Sequence, residues 1–141
     1  MSRQWTNAQQ NAIDSRNGSV LVSAAAGSGK TAVLVERVIK RITDKQKQTN
    51  IEKILVVTFT KAAAGEMLER ISKSLNELIK ENPKDSFLKR QKMFLPNANI
   101  STIDSFCNQL VKENCQLLRI VPDFKMLNEN ELKLLHSEII T

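Results

Sequence analysis

Ala24-Ala-Ala-Gly-Ser-Gly-Lys-Thr31, set between the apolar residues Val20-Leu-Val-Ser23 and the apolar-periodic residues Ala32-Val-Leu-Val-Glu-Arg-Val-Ile39, decides how the rest of this chain is read. A polyphosphate needs a concave row of backbone N–H groups, glycines where side chains would block close approach, an ammonium for the β- and γ-phosphates and a hydroxyl for magnesium. Gly27, Gly29, Lys30 and Thr31 supply these in order. A helix beginning at the lysine would add its unpaired N–H groups and the positive end of its dipole. The predicted phosphate site is therefore Ala24, Ala25, Ala26, Gly27, Ser28, Gly29, Lys30 and Thr31, with Lys30 and Thr31 as the catalytic pair and Thr31 as the magnesium ligand through its hydroxyl. ATP and Mg2+ are the implied cofactors. Ala24 stands where the general loop pattern has glycine.

Outward from the loop, residues 20–23 read as a buried strand. Val35, Val38, Ile39 and Ile42 recur at helical spacing after it. Residues 54–59, Ile-Leu-Val-Val-Thr-Phe, read as a second strand, apolar throughout as parallel strands covered on both faces are. Upstream, Thr6-Asn-Ala-Gln9 has the form of a capping box opening a short helix to about Ser15. Downstream, Leu68, Ile71, Leu75 and Leu78 mark a helix closed by Asn82-Pro83, residues 84–96 could form a short amphipathic helix, and residues 99–103 read as a third strand. Ile103, Phe106, Cys107, Leu110 and Val111 then share a helical face. A second capping box, Asn128-Glu-Asn-Glu131, opens a helix with Leu132, Leu135 and Ile139.

With 141 residues and 41% hydrophobic content the chain can supply one ordinary core. A formal charge of +6 suits a polyanionic partner, although the bases are interspersed with acids and fit a solvated surface equally well. Cys107 and Cys115 lack metal-ligand spacing, so they read as incidental thiols in a reducing compartment, and His136, the single histidine, has no catalytic company. No signal peptide or membrane-length apolar run is present, which predicts a cytoplasmic protein with no membrane partner. A helix still in register at residue 141, and the lack of an apolar strand ending in the magnesium-binding aspartate of P-loop ATPases, predict a truncated chain without its own hydrolytic acid.

Three further segments resemble motifs of superfamily 1 helicases, of the UvrD/RecB-like kind. Thr58-Phe-Thr-Lys-Ala-Ala-Ala-Gly-Glu-Met-Leu-Glu-Arg-Ile71 is similar to motif Ia and Thr102-Ile-Asp-Ser-Phe106 to motif Ib, both of which contact single-stranded DNA. Trp5-Thr-Asn-Ala-Gln-Gln-Asn-Ala-Ile13 resembles the Q motif, whose glutamine reads adenine. Alanine at the first loop position is usual in this superfamily. Residues 22–37 are most similar to the AddA family of helicase-nuclease subunits; UvrD-type motors usually carry arginine where this chain has Ala32 and lysine where it has Ala62. Lys61 replaces a common asparagine, and Asp104 replaces a common histidine and, being an acid, is left out of the DNA-contact set.

The resemblance implies an α/β, RecA-like P-loop NTPase sheet flanked by helices and truncated: residues 1–103 hold a partial ATP-binding domain, and residues 104–141 begin a helical inserted subdomain. It implies that Gln9 binds adenine, although a capping-box glutamine needs no ligand to explain it. It implies DNA contacts at Thr58, Phe59, Thr60, Lys61, Thr102 and Ser105. An aromatic between two hydroxyls suits strand tracking, because stacking is worth roughly 1–3 kcal/mol per base; the competing role for Phe59 is core packing. Glu66 and Arg70, four apart on a helix, are given a structural pairing.

The parent enzyme implied is an ATP-dependent DNA helicase and exonuclease acting on DNA ends in double-strand-break repair and recombination. Its partner would be an AddB-like protein, and its nuclease would lie outside this segment. The alternatives are a stand-alone P-loop nucleotide kinase or nucleotide-binding module, and a nucleic-acid-binding domain with a vestigial nucleotide site.

Overall fold

The computed structural model describes residues 4–44 and 46–139. It divides into two units, Met1–Phe106 and Cys107–Thr141.

In the first unit, α1 (Asn7–Asp14) starts at Thr6 with both halves of the capping box formed. After an irregular stretch comes α2 (Lys30–Thr43), whose Ala32, Val33, Val35, Val38, Ile39 and Ile42 are buried while Lys40 and Arg41 lie in its last turn, the end that favours cations. Strand β1 (Leu55–Thr58) leads into α3 (Lys61–Glu81), and α4 (Ser86–Phe94) is capped by Asp85, which accepts the N–H groups of Phe87 and Leu88. Strand β2 (Asn99–Thr102) runs parallel to β1 in the register Leu55↔Asn99 to Thr58↔Thr102. The connection between them passes through α3, as parallel pairing demands. The core is the inward stripe of α2 against Met67, Ile71 and Leu75 of α3, with Ile51, Val56, Leu88 and Leu95. Leu68 and Leu78, expected on the α3 stripe, pack at its margin.

One fully buried polar side chain lies beside this core. Gln91 on α4 accepts the Ile51 N–H at 2.7 Å and donates to Asn50 Oδ1 at 3.0 Å. The chain entering β1 is thereby tied to α4, and a backbone donor that burial would otherwise orphan is satisfied.

The strand expected at residues 20–23 is not formed. Among the described residues the sheet has two strands, β1 and β2, and Val20, Leu21 and Val22 are 42, 95 and 47% exposed. An apolar run becomes a strand only when a neighbour completes its hydrogen-bond ladder, and none of the described residues pairs with it. Leu55 and Val57, on one face of β1, are likewise exposed.

Helix α5 (Ile103–Glu113) spans the division between the units and has no buried residue, so its predicted apolar face is uncovered at Ile103 and Leu110. In the second unit, Arg119 has a positive φ of 54°. Its N–H bonds Gln116 O while the Ile120 N–H bonds Cys115 O. These two bonds have the Schellman pattern and close the run of turns that follows α5, with arginine where glycine is usual. Helix α6 (Glu129–Ile139) opens with the expected capping box, Asn128 Oδ1 accepting from Glu131 N and Glu131 Oε2 from Asn128 N. Its stripe, Leu132, Leu135 and Ile139, is exposed. Neither cysteine is in a disulfide; Cys107 is exposed and Cys115 buried.

Candidate functional site

The irregular stretch before α2 is shaped by its glycines. Gly27 and Gly29 have φ of 78° and 86°, a region that a Cβ disfavours, and Gly29 is the N-cap of α2. Glycine offers no side chain to cap the helix, and the first turn holds no acid. The leading N–H groups of α2 are thus left for an external anion. Lys30 folds back along the loop, its Nζ donating to Ala24 O and Ala25 O at 2.7 Å each. Those carbonyls hold the ammonium inside the turn.

Helix α1 is clamped beside the loop. Arg37 of α2 donates to Ala12 O, Lys40 pairs with Asp14, and Arg16 lies 3.5 Å from Asp44. A hydrogen bond from Gln10, then Lys40, holds the Asp14 carboxyl below its ordinary range; the N–H groups of Gln46 and Lys47 do the same for Asp44. Burial, with Arg41 and Arg16 nearby, lowers Arg37, which stays charged at any physiological pH.

So held, Gln9 faces two ways. Its Oε1 accepts the Thr6 N–H at 3.0 Å in the capping box, and its Nε2 donates to Ser28 O at 3.1 Å. The spacing of the capping box made the first contact legible; nothing in the sequence signalled the second. A cleft of about 330 Å3 lies here, lined by Gln9, Ala12, Val22, Ala24, Ser28 and Lys30 among others.

On the other side of Lys30 a cleft of about 440 Å3 is lined by Thr31 and Leu34 from α2 and by Thr58, Phe59, Thr60 and Glu66 from the β1–α3 segment. Phe59 is 90% exposed. It does not pack into the core formed by the described residues. Thr58 Oγ1 donates to Thr60 O at 3.0 Å, and Thr60 Oγ1 accepts the Ala63 N–H to cap α3. Lys61, the first residue of α3, is exposed. Glu66 is engaged by Arg70 at 2.5 Å, the pairing expected from their spacing.

Because β1 and β2 are parallel and in register, Thr58 and Thr102 end side by side. Thr102 is buried at 7% exposure, and its hydroxyl accepts Ser105 N–H at 3.1 Å and donates to Ser105 Oγ at 2.8 Å. Of the two hydroxyl residues singled out in this segment, Ser105 is the exposed one. Asp104 is exposed in the first turn of α5, where an acid favours the helix dipole. No cluster of three or more His, Cys, Asp or Glu among the described residues is arranged to hold a metal ion. No helix among them is long and apolar enough to cross a membrane.

A glycine-shaped loop at the N-terminus of α2 thus adjoins Gln9 of the capping box on one side and the end of β1 on the other. Residues 5–141 match the UvrD/REP helicase N-terminal domain, and the chain belongs to that family. It is 48% identical over 136 residues to an ATP-dependent helicase/nuclease subunit from Lachnoclostridium phytofermentans, covering 96% of this chain and 10% of that protein. It is 50% identical over 136 residues to the protein of the same name in Clostridium novyi, covering 96% and 11%, and 46% identical over 140 residues to that of Exiguobacterium sibiricum, covering 99% and 12%. The chain thus spans about a tenth of the length of the curated relatives it matches.

Proposed function

We propose that this chain forms the ATP- and single-stranded-DNA-binding segment of an AddA-like DNA helicase, with residues 1–103 a RecA-like P-loop domain and residues 104–141 leading into a helical subdomain. Lys30 leaves the Ala24 and Ala25 carbonyls for the β- and γ-phosphates, the loop N–H groups from Ala25 to Thr31 receive the phosphate oxygens, and Gln9 reads adenine. The Thr31 hydroxyl would hold Mg2+, and the charge neutralisation at the phosphates that such an ion supplies would be available at this position. Phe59 stacks a base, while Thr58, Thr60, Lys61 and Ser105 mark the path of the strand, and the buried Thr102 holds Ser105 in place rather than touching DNA. The parent would couple ATP hydrolysis to movement along DNA from broken ends, with a partner of the AddB kind and a nuclease elsewhere in its chain, in the cytoplasm.

The single observation that carries this reading is the cleft shared by Thr31 and the residues from Thr58 to Thr60. A change in the phosphates at one wall has a direct physical route to a strand held at the other. Glu66, the carboxylate lining that cleft, is committed to Arg70. The chain alone is therefore expected to bind Mg·ATP without turning it over. Calorimetric titration and a phosphate-release assay test this together. Lys30→Ala should weaken Mg·ATP about 10- to 100-fold, the range for losing a charged hydrogen-bonding group. Steady hydrolysis by the wild-type chain, abolished by Lys30→Ala, would overturn the reading of an incomplete site.

A further inference from the structure

We infer that Gln9 is a positioning residue for the phosphate loop, acting through the Ser28 carbonyl whether or not a base is present. This rests on the phosphate-site reading above and adds to it a task that needs no adenine.

A glutamine amide has one acceptor oxygen and two N–H donors. Here the oxygen is committed to Thr6 N and one donor to Ser28 O, so the side chain ties the first turn of α1 to the loop 19 residues away. Ser28 is held from both sides, since its own N–H bonds Ala25 O at 3.3 Å. The peptide unit is planar and trans, so its carbonyl and the following N–H point in opposite directions. Fixing Ser28 C=O on Gln9 therefore fixes Gly29 N–H on the side away from Gln9.

That peptide joins Ser28 to Gly29, and Ser28 is flanked by Gly27 and Gly29, the residues with the most backbone freedom to lose on binding. The fit is close as well: a Cβ on Gly29 would stand 3.4 Å from Gln9 Nε2. A tether from a clamped helix removes loop conformations before the phosphate arrives, and preorganisation of this kind raises affinity without touching the ligand. The second N–H of Gln9 remains available to a base. Base reading and loop positioning are then carried by one amide, which links occupancy of the base site to the geometry of the phosphate site.

Mg·tripolyphosphate, which has no base, separates the two roles from each other. Calorimetry on the 141-residue chain would compare it with Mg·ATP for wild type, Gln9→Met and Thr6→Ala, with circular dichroism melts as the folding control. Gln9→Met removes the tie to Ser28 together with the acceptor for Thr6 N–H, Gln9→Glu removes the tie and keeps that acceptor, and Thr6→Ala removes the hydroxyl half of the capping box and leaves the tie. Gln9→Met should weaken tripolyphosphate about 2- to 10-fold, the effect of one neutral hydrogen bond, and Thr6→Ala should change it less than about twofold. In the ligand-free state the backbone order parameter at Gly29 should be lower in Gln9→Met than in wild type. If Gln9→Met does not fold, Gln9→Glu keeps an acceptor for Thr6 N and loses the donor to Ser28. Its weakening of tripolyphosphate should persist at high salt, where repulsion is screened.

Unchanged tripolyphosphate binding in the Gln9 variant, with ATP alone weakened, overturns the inference and leaves Gln9 a base reader. An equal loss in Thr6→Ala overturns it in favour of helix capping. A wild-type chain that binds neither ligand overturns the phosphate-site reading and this inference with it.

Discussion

Phe59→Ala separates a DNA contact from a core residue more sharply than any other single change in this chain. A buried phenylalanine truncated to alanine costs about 3–5 kcal/mol of stability. Phe59 is 90% exposed at the end of β1, so nearly all of its surface meets water in the folded and the unfolded state alike. Its truncation should therefore cost less than about 0.5 kcal/mol, the usual range for surface substitutions. If it stacks a base, the lost stacking is about 1–3 kcal/mol, which lowers affinity for single-stranded DNA roughly 5- to 150-fold. Fluorescence anisotropy of a labelled oligothymidine across a salt series reads the affinity, and a thermal melt reads the stability. Stacking involves no counterion, so the plot of log affinity against log salt should drop without changing slope. Affinity within twofold of wild type, or a melt several degrees lower, would refute the assignment of Phe59 to the strand path.

Gln91→Met keeps the side-chain length on α4 and removes the acceptor for Ile51 N–H, a donor on a fully buried residue. It should cost about 1–3 kcal/mol, seen as a lower urea midpoint at unchanged slope. Asp14 and Asp44 both have folded pKa values below the ordinary carboxylate value, Asp14 through Gln10 and then Lys40, Asp44 through the N–H groups of Gln46 and Lys47. A depressed folded pKa contributes stability above the unfolded pKa and loses it as pH falls toward the folded one. Melting temperature should accordingly stay level from about pH 7 to 5 and drop below about pH 4. Asp14→Asn should blunt that drop, and a loss already complete at about pH 5 would contradict it.

Elements encoded within one or two turns were legible in advance. Thr6 with Gln9 and Asn128 with Glu131 form capping boxes because the partners are three residues apart and need nothing else. The α2 stripe and the loop glycines are local in the same sense: periodicity sets which residues share a face, and a positive φ selects glycine. The strands expected at residues 54–59 and 99–103 form, over Leu55–Thr58 and Asn99–Thr102, because each supplies the other's hydrogen-bonding neighbour within the chain.

Residues 20–23 carry the same apolar signal and form no strand, since a ladder needs a neighbour and hydropathy does not name one. The stripes of α5 and α6 likewise announced an apolar face without announcing what covers it. Thr102 shows the converse: its hydroxyl looked available, yet it is buried, accepts the Ser105 N–H and donates to Ser105 Oγ.

By itself, then, the sequence determined the helices, the two capping boxes and a turn shaped by glycines, all set by interactions a few residues long. Only the tertiary structure decided that Phe59 stands in solvent, that Gln91 is sealed beside the core and that Gln9 divides its amide between Thr6 and Ser28. Each of those depends on which distant backbone group lies within about 3 Å, and on whether water can reach it.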